Sequence, residues 1–189
     1  MQLIVGLGNA APEYSSTRHN FGFRVVDALA LSRNMTFHPG KGDYILAVHE
    51  ADQFAIVKSV GFMNESGWAV RDAMDFVKAE VKDVLIVFDD IDLDLGTLRF
   101  RPSGGSSGHK GMESVIAQIE SEDFPRLRLG IASDAPMKPS EKYVLEPFRE
   151  QDQTLVNEVV YRAIDGLEKY LESNIEIAMA RFNADPASN

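Results

Sequence analysis

Leu3-Ile-Val-Gly-Leu7 is an unbroken apolar run, residues 8–20 are mostly polar or small, and Phe21, Val25, Val26 and Leu29 then recur at helical spacing. A short apolar run without alternation marks a strand buried on both faces, and an apolar period near 3.6 residues marks a helix with one buried face. The same grammar repeats downstream. Tyr44–His49 and Phe54–Lys58 read as strands parted by the polar turn Glu50-Ala-Asp-Gln53. Asn64 can cap a helix to about Val77, with Trp68, Val70, Ala73, Met74 and Val77 as its apolar residues. Val84-Leu-Ile-Val-Phe88 is a second buried strand and Thr97–Arg101 a further one. A glycine-rich loop, Ser103–Gly111, leads into a helix from about Met112 to Ile119. Leu127–Ile131 alternates with arginines, as a strand with one exposed face would. Leu155, Val159, Ala163, Leu167 and Leu171 recur every fourth residue in a long helix, and a shorter helix follows around Ile175–Arg181.

Strands alternating with helices specify an α/β fold. The expected architecture is a single compact domain over residues 1–189, with a mixed, mostly parallel twisted sheet flanked by helices and C-terminal helices from about residue 150. Sheets of this kind bind ligands beyond the carboxyl ends of their strands. Three polar sites fall there on this reading: Asn9 after the first strand, Asp89 after Phe88, and the loop after Arg101.

A chain of 189 residues buries roughly 70% of its unfolded surface on folding and needs no covalent staple. It has no cysteine, which removes disulfides, thiolate catalysis and Cys-ligated metals and suits a reducing compartment. The N-terminal residues lack a basic region and carry too short an apolar run for a signal peptide, and no stretch approaches a membrane span. A soluble, cytoplasmic protein is expected. The net charge of −10 argues against a nucleic-acid partner, but it is unevenly placed. Residues 1–49 carry four basic against three acidic groups and residues 99–142 seven against six, while 50–98 carry four against eleven and 143–189 four against nine. Phosphate binding depends on local contacts, so the acidity of two segments leaves it open.

Three motifs mislead. Gly6-x-Gly8-x-x-Ala11 follows a strand like a dinucleotide fingerprint, but that fingerprint needs a helix at once to hold the pyrophosphate, and Pro12 and Glu13 intervene. Gly104-Gly-Ser106-Ser-Gly108 fits the nucleophile-elbow pattern, yet the only histidine after Ser106 is His109, whereas that fold places its histidine far downstream. Asp90, Asp92 and Asp94 begin like a calcium loop, but the glycine arrives late at Gly96 and Arg101 stands where the bidentate acid belongs. Neither a cofactor nor a metal is expected.

Four polar stretches remain: Gly8-Asn9, Thr17-Arg-His-Asn20, Phe62-Met-Asn64-x-Ser66-Gly67 and Phe88-Asp89-Asp90. With the loop they spell GLGNxxPEYxxTRHNxGF over 6–23, FMNxSG over 62–67, DDxD over 89–92 and GGxxGHxG over 104–111. This colinear set resembles the bacterial peptidyl-tRNA hydrolase family, and the similarity runs from Leu3 to the closing Ala178-Met-Ala-Arg-Phe182. Singly, His19 could be a cap or surface residue, Asn9 and Asp89 could close turns, and Asn64 could cap a helix. Jointly, in the family's order, they point to catalysis.

The resemblance implies cofactor-free hydrolysis of the ester joining peptide to tRNA, which recycles tRNA from stalled translation. It implies His19 as general base, Asp89 as its orienting partner, and Asn9 and Asn64 as positioning amides. One donor aimed at a developing oxyanion is worth about 10²–10³ in rate. It also implies contacts to peptide or tRNA from Tyr14, Phe62, Asn64, His109 and Arg128; Arg99 and Arg101 alternate on one strand and so share a face that can meet phosphates, and Lys110 is a further candidate contact. The partner is then peptidyl-tRNA, met through its acceptor end and peptide by a monomer with no obligate protein partner and no membrane. The chain departs from the family pattern twice, at Lys110 in place of asparagine and at Ala10-Ala11 in place of Pro-Gly. Lys110 could sit near His19 and oppose Asp89, or carry its ammonium outward to phosphates; the second is favoured because burying a lysine is costly. Two other readings stay open, a non-catalytic RNA-binding member of the same fold and a dinucleotide-dependent enzyme.

Overall fold

The computed structural model describes residues 1–134, 137 and 139–184. The stretch 185–189, included in the expected domain, lies outside them. Among the described residues, seven strands form one sheet: β1 (Gln2–Gly6), β2 (His38–Pro39), β3 (Tyr44–His49), β4 (Phe54–Ser59), β5 (Val84–Asp94), β6 (Leu98–Arg101) and β7 (Arg126–Ala132). Their order is β2-β3-β4-β1-β5-β7-β6. The centre, β4-β1-β5-β7, is parallel, and both margins are antiparallel. The helices are α1 (Phe21–Ser32), α2 (Ser66–Val77), α3 (Lys110–Ile119), α4 (Ser140–Val144), α5 (Gln153–Glu172) and α6 (Ile175–Phe182). None of them is long and apolar enough to cross a membrane.

The apolar runs are apolar because both faces of the sheet are covered. Ile4, Leu85, Val87, Leu127 and Leu129 face α1, α5 and α6, packing with Val25, Leu29, Val159, Ala163 and Ala178. Leu3, Val5, Ile86 and Phe88 face the other way, against Val70 and Ala73 of α2 and Met112 and Val115 of α3. Each such side chain contributes roughly 1.5–3 kcal/mol by leaving water. Gly22 sets how closely α1 sits on the sheet. A Cβ there would lie 2.3 Å from the Val87 carbonyl oxygen and 2.7 Å from that of Leu7. The chain just before Gly22 is thereby drawn onto the ends of β1 and β5.

Several boundaries differ from the sequence reading, each for a physical reason. β5 does not stop at Phe88 but runs to Asp94, alongside β7. Gly130 permits this, since a Cβ there would lie 2.1 Å from the Asp94 carbonyl oxygen. The Asp90, Asp92, Asp94 run is therefore extended strand, not an ion-binding loop. Met63–Glu65 forms a separate turn before α2, and Trp68 is half exposed, its ring 4.3 Å from the Arg71 guanidinium. α3 starts at Lys110, not Met112, because the His109 side chain caps it. α4 has too few residues to show a period, so the sequence gives no sign of it. The buried stripe of α5 is Val156, Val159, Val160, Ala163, Leu167 and Tyr170, with Leu155 at its exposed edge.

The arginine alternation on β7 also misleads. Arg126 is 2% exposed, against the expectation of a solvent face. Its guanidinium stacks over Phe124 at 4.4 Å and donates to the carbonyls of Gly104, Gly105 (3.1 Å) and Glu122 (2.9 Å). Burial pushes it down to about 10, with the charge of Glu122 opposing, so it remains a cation at neutral pH and clamps the glycine-rich loop to the sheet.

Candidate active site

β1 and β5 run parallel as neighbours, so their carboxyl ends bring Asn9 and Asp89 to the same rim of the sheet. A single helical turn, Arg18–Asn20, sits above that rim immediately before α1 and delivers His19 to Asp89. His19 Nδ1 lies 3.0 Å from both carboxylate oxygens of Asp89. With Nδ1 so engaged, Nε2 faces no partner among the described residues. Arg18 pins the turn from behind: its guanidinium is 4.0 Å from the centre of the Tyr143 ring and donates to the Tyr143 (3.1 Å) and Glu146 (3.2 Å) carbonyls.

Asn9 is held on three sides. Its backbone N–H donates to Asn20 Oδ1 (2.8 Å), its carbonyl accepts from Asn20 Nδ2 (2.9 Å), and its own Oδ1 accepts from the Met63 N–H (2.8 Å). The amide oxygen being used, Asn9 offers the cleft its Nδ2 donors. Asn64 is exposed on the next turn, and neither half of its amide has a hydrogen-bond partner among the described residues.

Asp89 is 2% exposed. Burial pushes its carboxyl up, but the two histidines beside it, His19 and His109, outweigh this and hold the group well below the usual carboxylate range. The second histidine is close: His109 Nε2 is 3.1 Å from Asp89 Oδ1, and its ring centre is 4.7 Å from that of His19. His109 Nδ1 accepts from the Met112 N–H at 3.2 Å. A backbone N–H can only donate, so Nδ1 is bare and the ring proton sits on Nε2. Two imidazoles and a carboxylate within 4.8 Å have the composition of a metal site. The His109 tautomer leaves Nε2 without a lone pair, which suits a hydrogen-bonded relay better than coordination.

These groups line a cleft of about 630 Å³. Asn9, Tyr14, His19, Phe62, Asn64, Asp89, His109 and Lys110 all border it, so the structure gathers those eight sequence-predicted residues in one place. Val144 and Leu145 add apolar lining. Lys110 points outward, its side chain 63% exposed and its Nζ 3.1 Å from Glu113 Oε2.

Arg99, Arg101 and Arg128 are not among the residues lining the cleft. Arg99 and Arg101 pair across β6–β7 with Arg128 and Arg126, so all four leave one face of the sheet. Arg128 donates to Asp90 Oδ2 at 2.5 Å, and Arg99 to the Asn183 carbonyl. Because β6 is antiparallel to β7, Arg101 leaves the sheet at the opposite end from Asp89, contrary to its expected place among the carboxyl ends. Three residues of strand separate the two rows, roughly 10 Å.

Ser106 is no nucleophile by geometry, because its Oγ accepts from the Gly108 N–H and no histidine reaches it among the described residues. Sequence reasoning passed over Asn20 and Arg18, which fix Asn9 and His19 in place. Their signal was contiguity with His19 in Thr17-Arg-His-Asn20.

The family model that matches this chain is that of peptidyl-tRNA hydrolase, over residues 3–189. A peptidyl-tRNA hydrolase of Thermoanaerobacter sp. (strain X514) is 42% identical over 185 residues, covering 97% of this chain and 100% of the relative. One from Methylacidiphilum infernorum is 41% identical over 182 residues, covering 96% and 97%. The crystal structure of peptidyl-tRNA hydrolase from Acinetobacter baumannii superposes with a TM-score of 0.90 at 29% identity, covering 98% of this chain and 95% of that one.

Proposed function

The chain belongs to the peptidyl-tRNA hydrolase family, and on that premise we propose that it cleaves the ester between peptide and tRNA with a water molecule activated by His19. The observation that carries the mechanism is the orientation of His19: Nδ1 is held by Asp89, which leaves Nε2 as the lone-pair acceptor toward the cleft. Nε2 takes a proton from water while the water oxygen bonds to the ester carbonyl carbon. Collapse of the tetrahedral intermediate breaks the bond to the ribose oxygen, which receives the proton back from the imidazolium. Peptide acid and deacylated tRNA result. Asp89 favours the imidazolium formed on the way, as the acid of a catalytic triad does. Donors from Asn9 and Asn64 suit the developing oxyanion or the peptide carbonyls. Phe62 and Tyr14 offer the peptide apolar surface beside them. Every group invoked comes from one chain, which supports action as a monomer, and cysteine-free composition and a translation substrate support a cytoplasmic setting.

Hydrolysis of an N-acetylated aminoacyl-tRNA by the purified chain tests this reading. Release of the acetylated amino acid without added cofactor is expected; no release above the uncatalysed rate sinks it.

The acceptor stem is proposed to cross the arginine face of β6–β7. Arg101 is a readily available cation there, since among the described residues its guanidinium bonds to the neighbouring Phe100 carbonyl alone, at 3.5 Å. Arg101→Ala is expected to raise KM, leave kcat nearly unchanged, and flatten the log–log salt dependence by about one unit of slope, the signature of one lost phosphate contact. An unaltered slope removes Arg101 from the interface.

Lys110 is assigned to phosphate as well. Its bond to Glu113 is solvent-exposed and so worth little, roughly 0–1 kcal/mol, which leaves the ammonium free to exchange partners. Lys110→Asn is expected to weaken tRNA binding and its salt sensitivity while the pH–rate profile stays in place. A displaced profile at unchanged affinity reverses the assignment and puts the ammonium beside His19.

A further inference from the structure

Two histidines compete for one carboxylate. His19 Nδ1–H and His109 Nε2–H both donate to Asp89, at 3.0 and 3.1 Å, and no other side chain among the described residues donates to the carboxylate. The two rings are not equivalent. His19 keeps Nε2 for the cleft, whereas His109 is locked at both nitrogens, one on Asp89 and the other on the Met112 N–H at the start of α3. Its edge contact with the Phe88 ring, 5.1 Å between centres, fixes the plane as well. Capping α3 alone would not require a ring, because asparagine and serine cap better than most residues with a shorter side chain. The ring adds a second donor, and that donor is aimed at Asp89.

We propose that His109 is a positioning residue which, by sharing Asp89 with His19, sets the pH at which His19 becomes free to act as base. This rests on the general-base reading of His19 and deepens it. A carboxylate whose charge is spread over two donors stabilises the His19 imidazolium less than one that serves His19 alone. His109 thus holds back the pull of Asp89, and His19 sheds its proton at a lower pH than the pair by itself would allow. His109 does this without adding a mobile charge, since both its ring nitrogens are committed. Around the three groups stand Asp90, already paired with Arg128, Lys110 paired with Glu113, and Tyr14 and Glu141 across the cleft. These stay the same in the variants below.

Two substitutions separate the donor from the cap. Asparagine mimics Nδ1 and keeps the bond from Met112 N–H but cannot reach Asp89. Glutamine carries an amide N–H about where Nε2 lies and keeps the donor while weakening the cap. Profiles of kcat/KM against pH on N-acetyl-aminoacyl-tRNA are measured for wild type, His109→Asn and His109→Gln, with thermal melts for each. The acid limb of His109→Asn is expected to move to higher pH by about half to one unit, with a near-wild-type melting temperature. That of His109→Gln is expected to stay near wild type although the protein melts lower. An acid limb of His109→Asn coincident with wild type overturns the proposal, and so do equal displacements in the two variants. Wild-type turnover and its loss in a His19 variant test the underlying mechanism separately, so those results can hold while this one fails.

Discussion

Asp89→Asn is expected to cut kcat by about 10⁴, the scale at which a triad carboxylate acts by fixing the tautomer of its histidine. The geometry makes the reason specific. Asp89 accepts from two ring N–H groups, and an amide has one oxygen to offer them. Because His109 is locked with its proton on Nε2, the amide oxygen satisfies His109 and its NH₂ turns to His19. Nδ1 of His19 must then accept, its proton moves to Nε2, and the face of the ring toward the cleft presents a donor where a base is needed. The variant should still fold, since asparagine is isosteric with aspartate and its amide can keep a hydrogen bond to each histidine. Circular dichroism and thermal melting check the fold, and steady-state kinetics the rate. A kcat within a few-fold of wild type would show that Asp89 serves packing alone.

Much of the fold is legible in the sequence because its decisive signals are local. Leu3–Leu7 and Val84–Phe88 announce strands covered on both faces, and the spacing from Phe21 to Leu29 announces the helix between them. Direction and reach are not local. Nothing in Leu98–Arg101 says that it runs against β7, so Arg101 was expected at the wrong end of the sheet. Nothing before Asp89 says that β5 continues, because the permission is a glycine on another strand, Gly130. Alternation on β7 reports which residues share a face but not whether solvent reaches them, and Arg126 is buried under the loop it holds. The site behaves likewise. His19, Asp89, Asn9 and Asn64 were legible as motif residues, whereas the bond from Asn20 to Asn9 and the sharing of Asp89 by two histidines arise only when distant segments meet.

His19→Ala removes the base itself and is expected to lower the rate of ester cleavage by about 10²–10⁴. The loss should fall on chemistry, not on binding. His19 is 8% exposed and bonds to Asp89, three strand residues (roughly 10 Å) along the sheet from the row that carries Arg101. Binding of uncharged tRNA should accordingly persist with its salt dependence intact. Alanine also leaves the Asp89 carboxylate with His109 as its remaining donor, so the site is not stripped of partners. The most direct measurement is single-turnover cleavage of N-acetyl-aminoacyl-tRNA by excess wild type and excess His19→Ala, with tRNA affinity determined in parallel. The predicted result is a rate constant reduced by at least about a hundredfold at unchanged tRNA affinity. Cleavage by His19→Ala at the wild-type rate would contradict the assignment of His19 as the base and with it the mechanism built on this cleft.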